Sequence, residues 1–250
     1  MVAFSGGVDS SLLLRAAVEA LGPQDVVAAI CAGPLTPPWE LEQARSLAAG
    51  LGVELLVLDA GELADPDIAA NGPQRCYHCK RRRLSLLTGL ARERGMKAVA
   101  EGSQLDDRSD YRPGSRAVAE LGALSPLMAA GLDKAGVRRL SQALGLTTAS
   151  APSSACLATR IPTGIPLSRE ALARVGRAEQ GLRGLAPGRL RVRDHFPLAR
   201  IEAEKEQLTA LVTEPLRPKV LAAVKQAGYS RVCLDLEGYS ASGLDHLPGK

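Results

Sequence analysis

A short turn joins a predicted strand to a predicted helix at the very start of the chain, in the sequence AFSGGVDSSLLL. Val2 to Phe4 are typical of the end of a strand and Leu12 to Leu14 of the beginning of a helix, so residues 5–10 form the turn. Its two glycines allow the backbone to approach a ligand closely, and the amides and positive dipole end of the helix point to the same place. The turn therefore predicts an anion-binding site, in which Asp9 caps the helix or holds a metal ion near phosphate.

The turn differs from the two commonest phosphate motifs. It lacks the Gly-Lys-Ser/Thr of a Walker A loop and the G-x-G-x-x-G of a dinucleotide fold. A helix N-terminus that is capped by serine and binds nothing is the alternative interpretation. The sequence SGGVDS resembles the PP-loop of the ATP pyrophosphatases, which bind the pyrophosphate of ATP and transfer AMP to a carboxylate, carbonyl or amide oxygen. This resemblance implies an ATP site made by Ser5, Gly6, Gly7, Asp9 and Ser10.

Residues 1–147 alternate predicted strands with predicted helices. Apolar runs at residues 26–31, 53–58 and 98–100 indicate buried parallel strands, and amphipathic stretches from Ser10, Pro38 and Lys80 indicate the helices between them. Asp133 caps a further helix, on which Val137, Leu140 and Leu144 are expected to share one face. The pattern predicts an α/β domain with a doubly wound, mainly parallel sheet and a ligand crevice at the carboxyl ends of the strands. The PP-loop resemblance implies the adenine nucleotide alpha hydrolase-like version of that fold.

Residues 148–250 are predicted to form a linker loop and a smaller α+β domain. The loop is rich in Ser, Ala, Pro and Thr, and Ser168 then caps a helix. Strands are predicted at residues 189–194, 198–202 and 231–236, with two helices around Leu208 and Val220.

Composition limits the classes of function that the chain can serve. No apolar run approaches the roughly 20 residues of a membrane-spanning helix, and no export signal opens the chain, so a cytoplasmic protein with no membrane partner is expected. The formal charge of +4 is too small to indicate a nucleic-acid partner by itself. Five cysteines without an export signal favour reduced thiols that serve metal binding or chemistry.

Three cysteines are candidate ligands of one metal centre. Cys76 and Cys79 lie in RCYHCKRRR, which is expected to form a turn immediately before the third helix. Two thiolates cannot complete a zinc or iron–sulfur site, so Cys156, also in a predicted loop, is the expected third ligand. Three cysteines would leave one iron of a 4Fe-4S cluster open. A structural zinc completed by His78 or Cys156 and a redox pair are the alternatives.

The other two cysteines, Cys31 and Cys233, lie in apolar strands and are expected to be core residues without a function.

Two arginines are candidate ligands of an anion. Arg191 and Arg193 are two residues apart on a predicted strand and therefore face the same side. Guanidinium groups bind phosphate or carboxylate oxygens in pairs of hydrogen bonds. The alternative is a solvated strand face, and part of the basic run from Lys80 to Arg83 is expected to be solvated as well.

Four segments together resemble one family, the LarE-type sulfur transferases. They are the PP-loop, DYRPG at residues 110–114, CLATRIPTG from Cys156, and RVR at residues 191–193. The resemblance implies adenylation of pyridinium-3,5-biscarboxylic acid mononucleotide and replacement of its carboxylate oxygen by sulfur, for the nickel-pincer nucleotide cofactor. In one branch the cysteine that matches Cys156 gives up its own sulfur. Cysteine at all three positions resembles the other branch, which binds a 4Fe-4S cluster and takes sulfur from an external donor.

The family's residue roles are expected at the matching positions. The PP-loop would hold ATP with Mg²⁺, for which Asp9, Asp106 and Asp107 are candidate ligands. Arg191 and Arg193 would bind the phosphate of the mononucleotide, Glu179 would line that site, and Arg160 would contact an anion nearby. The resemblance also implies that residues 148–250 serve substrate binding and sulfur transfer and that the protein forms a homo-oligomer.

The segment GYSASGLD near the end of the chain lacks an arginine that the family carries after its aromatic residue. Two further functions are kept as alternatives. One is an iron–sulfur-dependent tRNA thiolase, which would need a broad basic surface. The other is a non-catalytic ATP-binding module with a structural zinc at Cys76 and Cys79.

Overall fold

A computed structural model describes residues 1–108, 113–152, 155–185 and 188–240. The chain divides into two compact units, one formed by residues 1–68 and 74–154, the other by residues 69–73 and 155–250. Within the described ranges, no helix has the length and apolar character needed to cross a membrane.

The first unit carries three strands and most of the helices. In chain order these are β1 (Val2–Ala3), α1 (Val8–Leu21), β2 (Val27–Cys31), α2 (Pro38–Gly50), β3 (Glu54–Leu58), α3 (Pro66–Ala69), α4 (Arg75–Glu93), α5 (Pro113–Glu120), α6 (Pro126–Ala129) and α7 (Lys134–Ala143).

The strands of the first unit form a parallel sheet in the order β1-β2-β3. On the other side of β1, Ala100 bridges to Val2 and to Leu124, also in parallel. The strands that follow β1 therefore lie first on one side of it, as β2 and β3, and then on its other side, at Ala100 and Leu124. This order confirms the predicted doubly wound, mainly parallel sheet. The loop after β1 lies where the winding reverses, the place where such sheets bind ligands.

One expected strand is shorter than the sequence indicated. Of residues 98–100, Ala100 forms isolated β-bridges, while Ala98 and Val99 only accept single hydrogen bonds, from the amino group of Met1 and the amide of Leu124. The chain turns away at Gly102, where an added Cβ would lie 3.1 Å from the amide nitrogen of Ser10. At this turn the backbone therefore packs closely against the start of α1.

The sheet of the first unit is covered on both faces. Along β2, Ala28 and Ile30 pack in one apolar cluster with α1, while Val27 and Ala29 pack in a second cluster with α4. This alternation follows from the two-residue period of a strand, and burial on both faces explains why β2 is apolar at every position.

The expected apolar face of α7 is only partly buried. Val137 is fully buried, whereas Leu140 is 42% exposed. Leu140 is three residues after Val137 and is rotated to the edge of the stripe that faces α1.

The second unit is a small mixed sheet with helices. Its regular elements are α8 (Arg169–Leu182), β4 (Leu190–His195), β5 (Leu198–Ala203), α9 (Leu208–Val212), α10 (Leu216–Gln226) and β6 (Arg231–Leu234). β4 and β5 pair antiparallel, whereas β5 and β6 pair in parallel. Ala178, Val192, Ile201 and Val224 belong to one buried cluster beneath α8 and α10. The predicted smaller α+β C-terminal fold is confirmed.

Candidate nucleotide, thiol and anion sites

The turn after β1 has a backbone conformation that requires glycine. Gly6 has φ of +76°, in the left-handed region. A Cβ at this position would lie 3.3 Å from both the carbonyl oxygen of Glu40 and the amide nitrogen of Ala44. Gln43 donates a hydrogen bond to the Gly6 carbonyl at 3.2 Å. The turn is therefore held against α2 at a distance that no side chain at residue 6 would allow.

Two serines brace the same turn from within. The Ser10 hydroxyl donates to the carbonyl of Gly7 at 3.1 Å, and the two oxygens Ser5 Oγ and Ser10 Oγ are 3.1 Å apart. Since the Ser10 proton is used toward Gly7, the Ser5 hydroxyl donates to Ser10. Ser5 and Gly7 are exposed. The turn is thus shaped before any ligand arrives, with accessible groups at its surface.

Asp9 has a cationic partner that the sequence analysis missed. Lys134 Nζ lies 2.6 Å from Asp9 Oδ2, whereas Asp9 Oδ1 is buried without a hydrogen-bond partner. Lys134 is the first residue of α7, a position where the helix dipole disfavours a positive charge. A lysine at this unfavourable position, directly after the helix cap Asp133, is the sequence signal that could have indicated a functional or ion-pairing role for Lys134.

A buried carboxylate lies beside the turn. Glu101 is 5% exposed and accepts hydrogen bonds from Lys80 at 2.8 Å, Ser125 at 2.6 Å and Ser103 at 2.8 Å. Burial alone would raise the pKa of Glu101, but the charge of Lys80 and these hydrogen bonds outweigh it and lower the pKa below its ordinary value. Lys80 of the basic run is therefore an ion-pair partner, not solvated surface.

The two candidate magnesium ligands Asp106 and Asp107 bind backbone amides. Asp107 Oδ2 accepts from the amide of Gln104 at 3.0 Å, and Asp106 Oδ2 accepts from the amide of Lys134 at 3.1 Å. Their carboxylates shape the loop that precedes residues 109–112. Residues 110–112 of the DYRPG segment lie outside the described residues.

Cys76 and Cys79 lie inside a helix. The sequence predicts a turn at these residues before a helix that starts at Lys80, but α4 begins at Arg75, so this prediction is wrong. Tyr77 is buried at 6% exposure and its hydroxyl donates to Glu120 Oε2 of α5 at 2.7 Å. This tertiary contact holds the first turn of α4 in place, and the sequence around it carries no apolar periodicity that would reveal it.

The first turn of α4 presents its two thiols in a cationic setting. Residues three apart lie on the same side of a helix, so Cys76 and Cys79 share one face. Cys76 is exposed and receives a hydrogen bond from Arg75 Nη2 at 3.5 Å. Burial alone would lower the pKa of Arg83, but the charges of Cys79 and of Glu62, whose Oε1 lies 2.7 Å from Arg83 Nη2, raise it. Each thiol therefore has a guanidinium group near it.

The remaining two cysteines have the character of packing residues. Cys31 is buried and its pKa is raised to about 11, chiefly by that burial. Cys233 is half-buried, and burial raises its pKa as well. Both thiols are therefore protonated near neutral pH and poor nucleophiles.

In the second unit, Cys156 lies at the start of a short 3₁₀ helix that ends at Arg160. Cys156 is half-buried, and its carbonyl accepts a hydrogen bond from Arg160 Nη1 at 3.3 Å. Arg160 also pairs with Glu179 through two hydrogen bonds of 2.8 and 3.0 Å, and both side chains are nearly fully buried. Burial alone would lower the pKa of Arg160, but the charges of Glu179 and Cys156 raise it. The Cys156 thiol therefore also has a cation beside it.

The two arginines on β4 are buried, so the alternative of a solvated strand face is wrong. Arg193 is 0% exposed; its Nη2 lies 2.8 Å from Glu202 Oε2 and its Nη1 donates to the Thr159 carbonyl at 2.7 Å. Arg191 is 6% exposed. Arg193 thus reaches the same 3₁₀ helix that follows Cys156, which brings the thiol loop and the arginine strand together within the second unit.

Asn71 holds the loop that follows Arg160. Its side-chain amide donates to the carbonyls of Pro162 at 2.9 Å and Ile165 at 3.0 Å, with a longer contact of 3.4 Å to Ile161. Asn71 is fully buried and has φ of +55°. The sequence analysis missed it because its partners are backbone carbonyls some ninety residues away. Asparagine before glycine was the available signal, since asparagine tolerates this conformation.

Among the described residues, no group of three or more His, Cys, Asp or Glu side chains is placed to hold one metal ion. Cys76 and Cys79 belong to the first compact unit and Cys156 to the second.

Comparison with known proteins shows similarity along nearly the whole chain. The sequence profile of the NAD synthase family matches residues 1–72. An uncharacterised protein of Synechocystis sp. is 39% identical over 99% of this chain and 92% of its own length. The pyridinium-3,5-bisthiocarboxylic acid mononucleotide synthase of Lactiplantibacillus plantarum is 35% identical over 98% of this chain and 88% of its own length. An uncharacterised protein of Methanocaldococcus jannaschii is 29% identical over 96% of this chain and 90% of its own length.

Proposed function

Because this chain belongs to the LarE-type family of PP-loop sulfur transferases, we propose that it adenylates pyridinium-3,5-biscarboxylic acid mononucleotide and converts its carboxylates to thiocarboxylates. The observation that carries the proposal is the near full-length similarity to the Lactiplantibacillus plantarum synthase, at 35% identity. The shaped turn at residues 5–10 and the arginines grouped with Cys156 support it.

The first half-reaction uses the turn after β1. The pyrophosphate of ATP binds at Ser5, Gly6 and Gly7, of which Ser5 and Gly7 are exposed, with Ser10 bracing the turn behind them. Asp9, whose Oδ1 has no hydrogen-bond partner, would hold Mg²⁺, which would offset the charge of the phosphates together with Lys134. A carboxylate oxygen of the substrate attacks the α-phosphorus, and pyrophosphate leaves into this cationic setting. Stabilising the leaving charge lowers the barrier, and the product is an acyl-adenylate.

The second unit binds the mononucleotide. Arg191 and Arg193 hold its phosphate, and Arg160 is positioned by Glu179 to contact an anionic group near Cys156. Buried guanidinium groups suit this task because their interaction with an anion is little weakened by water.

The residues present fit a 4Fe-4S cluster by the chemistry of their side chains. Cys76, Cys79 and Cys156 are free thiols, none is fully buried, and each has an arginine nearby. When bound, such a cluster supplies the sulfide that replaces the adenylated oxygen, with AMP as the leaving group. The three cysteines then persist through repeated turnovers, and sulfur comes from an external donor. The homo-oligomeric state and the cytoplasmic location stay predictions.

The test combines metal analysis with separate assays of the two half-reactions. Anaerobically reconstituted protein is expected to contain iron and acid-labile sulfide and to release AMP and pyrophosphate only when the biscarboxylate mononucleotide is present. Cys156→Ser should abolish thiocarboxylate formation while adenylation continues, and Cys233→Ser is the matched control that should change neither.

Two results would contradict the proposal in different ways. Loss of one sulfur atom from Cys156 after a single turnover, detected by mass spectrometry, would replace the cluster by a sacrificial cysteine. ATP hydrolysis that is independent of the mononucleotide would remove the proposed substrate.

A further inference from the structure

Arg191 differs from the other buried arginines of its cluster in having no carboxylate partner among the described residues. Arg160 pairs with Glu179 and Arg193 pairs with Glu202. The hydrogen bond found for Arg191 runs from Nη1 to the carbonyl of Ser240, at 3.2 Å. Burial lowers the pKa of Arg191, and the like charges of Arg160 and Arg193 lower it further. A buried cation in this situation gains the most from an incoming anion.

An aromatic ring takes the place of the missing carboxylate. The guanidinium carbon of Arg191 lies 4.6 Å from the ring centroid of Tyr239, and that of Arg189 lies 4.4 Å from the same centroid. The electron-rich face of a ring attracts a cation without consuming its hydrogen-bond donors. Arg191 is therefore stabilised while most of its N–H groups stay available.

The ring is itself held in position from two sides. The backbone amide of Tyr239 donates to the Ala203 carbonyl at the end of β5, at 2.7 Å. Arg189, which contacts the ring, is anchored by Glu204 at 2.6 Å. A ring fixed in this way restricts the positions that the Arg191 guanidinium can adopt.

We propose that Tyr239 is a positioning residue for phosphate binding: its ring face holds the guanidinium of Arg191 in place to receive the phosphate of a pyridinium mononucleotide. This inference rests on the proposed function and extends it to a residue outside the arginine pair. The ring face performs the task, so the phenol hydroxyl is dispensable for it.

The experiment measures binding of nicotinic acid mononucleotide and of inorganic phosphate to the full-length protein by calorimetry. Tyr239→Leu removes the ring and should weaken binding of both probes about tenfold, the size of a partly desolvated cation–ring contact. Tyr239→Phe keeps the ring and should restore the affinity to within about twofold of the wild type. Phe196→Leu is the matched control, because Phe196 contacts Arg174 at 4.1 Å, and that arginine already pairs with Asp194.

The outcomes separate this inference from the proposed function. Binding by Tyr239→Leu within twofold of the wild type would overturn the inference, as would equal losses in Tyr239→Leu and Tyr239→Phe, or no phosphate binding by the wild type. If the probes bind in the expected pattern but the wild type releases no AMP with the biscarboxylate mononucleotide, the inference stands and the proposed function fails. Thermal unfolding of each variant identifies any loss that comes from misfolding.

Discussion

At the scale of single residues, Gly6 shows how strongly one backbone conformation constrains the nucleotide turn. With φ of +76° and neighbouring backbone atoms 3.3 Å from the position of a Cβ, a side chain there meets both torsional strain and close contacts. We expect Gly6→Ala to lower the free energy of unfolding by about 1–2 kcal/mol and to abolish ATP binding, measured by urea denaturation and calorimetry.

Gly50→Ala provides the control for that substitution. Gly50 ends α2 with open space around it and without a positive φ, so the change should be neutral or stabilising by up to about 1 kcal/mol. Equal stability of Gly6→Ala and the wild type would show that the turn can relax.

The positive charge of Lys134 beside the nucleotide turn is expected to contribute to ATP binding. Lys134→Met removes the cation 2.6 Å from Asp9 and should weaken ATP binding about tenfold, because a charge-assisted contact with phosphate is lost. The ion pair is partly exposed, so the free energy of unfolding should change by less than about 1 kcal/mol. Arg15→Met breaks a similar pair with Glu19 on α1 and should leave ATP affinity unchanged. Unchanged affinity in Lys134→Met would place Lys134 outside the nucleotide site.

At the scale of elements, the sequence predicted strands and helices well wherever apolar periodicity is strong. The run at residues 26–31 is buried on both faces in β2, and Asp133 and Ser168 cap α7 and α8 through their side chains. The start of α4 was wrong because its first turn is polar and is held by the buried Tyr77 and its bond to Glu120. Tertiary contacts of this kind leave no periodic signal in the sequence.

The parts of the candidate site that depend on local sequence patterns were predictable, and the parts that depend on distant contacts were not. The turn after β1 and the arginine pair follow from local pattern alone, but the predicted bounds of the turn, residues 5–10, are too long because α1 begins at Val8. Lys134, Asn71 and Tyr239 were missed because each acts on a group distant in the sequence: a carboxylate, a set of carbonyls and a guanidinium.

The loop after Arg160 is expected to depend on the side chain of Asn71 for its stability. Asn71→Ala would leave the carbonyls of Pro162 and Ile165, and the buried one of Ile161, without their donor and would place alanine at φ of +55°, so we expect a loss of about 2–4 kcal/mol in the free energy of unfolding. Urea denaturation measures it. Thr213→Ala removes hydrogen bonds to exposed carbonyls and should cost less than about 0.5 kcal/mol. A cost in Asn71→Ala as small as this would show that water replaces the amide.

At the scale of the whole molecule, charge separates the proposed function from tRNA thiolation. The 31 Lys and Arg residues exceed the 27 Asp and Glu residues by four, and many of the arginines described above are already paired with carboxylates. We expect tRNA to bind no more tightly than about 10 µM near 0.15 M salt, as for non-specific association. Fluorescence anisotropy at two salt concentrations measures this. Submicromolar binding that falls steeply with salt would favour the tRNA thiolase.

The place of residues 69–73 in the second unit limits where the chain can be cut or recombined. These five residues pack with residues 155–250, although the chain on both sides of them belongs to the other unit. A truncation after residue 154 would therefore remove the carbonyls to which Asn71 donates. A fusion of residues 155–250 to another ATP-binding protein would lack Asn71, which holds the loop after Arg160. The two units therefore cannot be exchanged between family members through a single crossover, because residues 69–73 must be transferred together with residues 155–250.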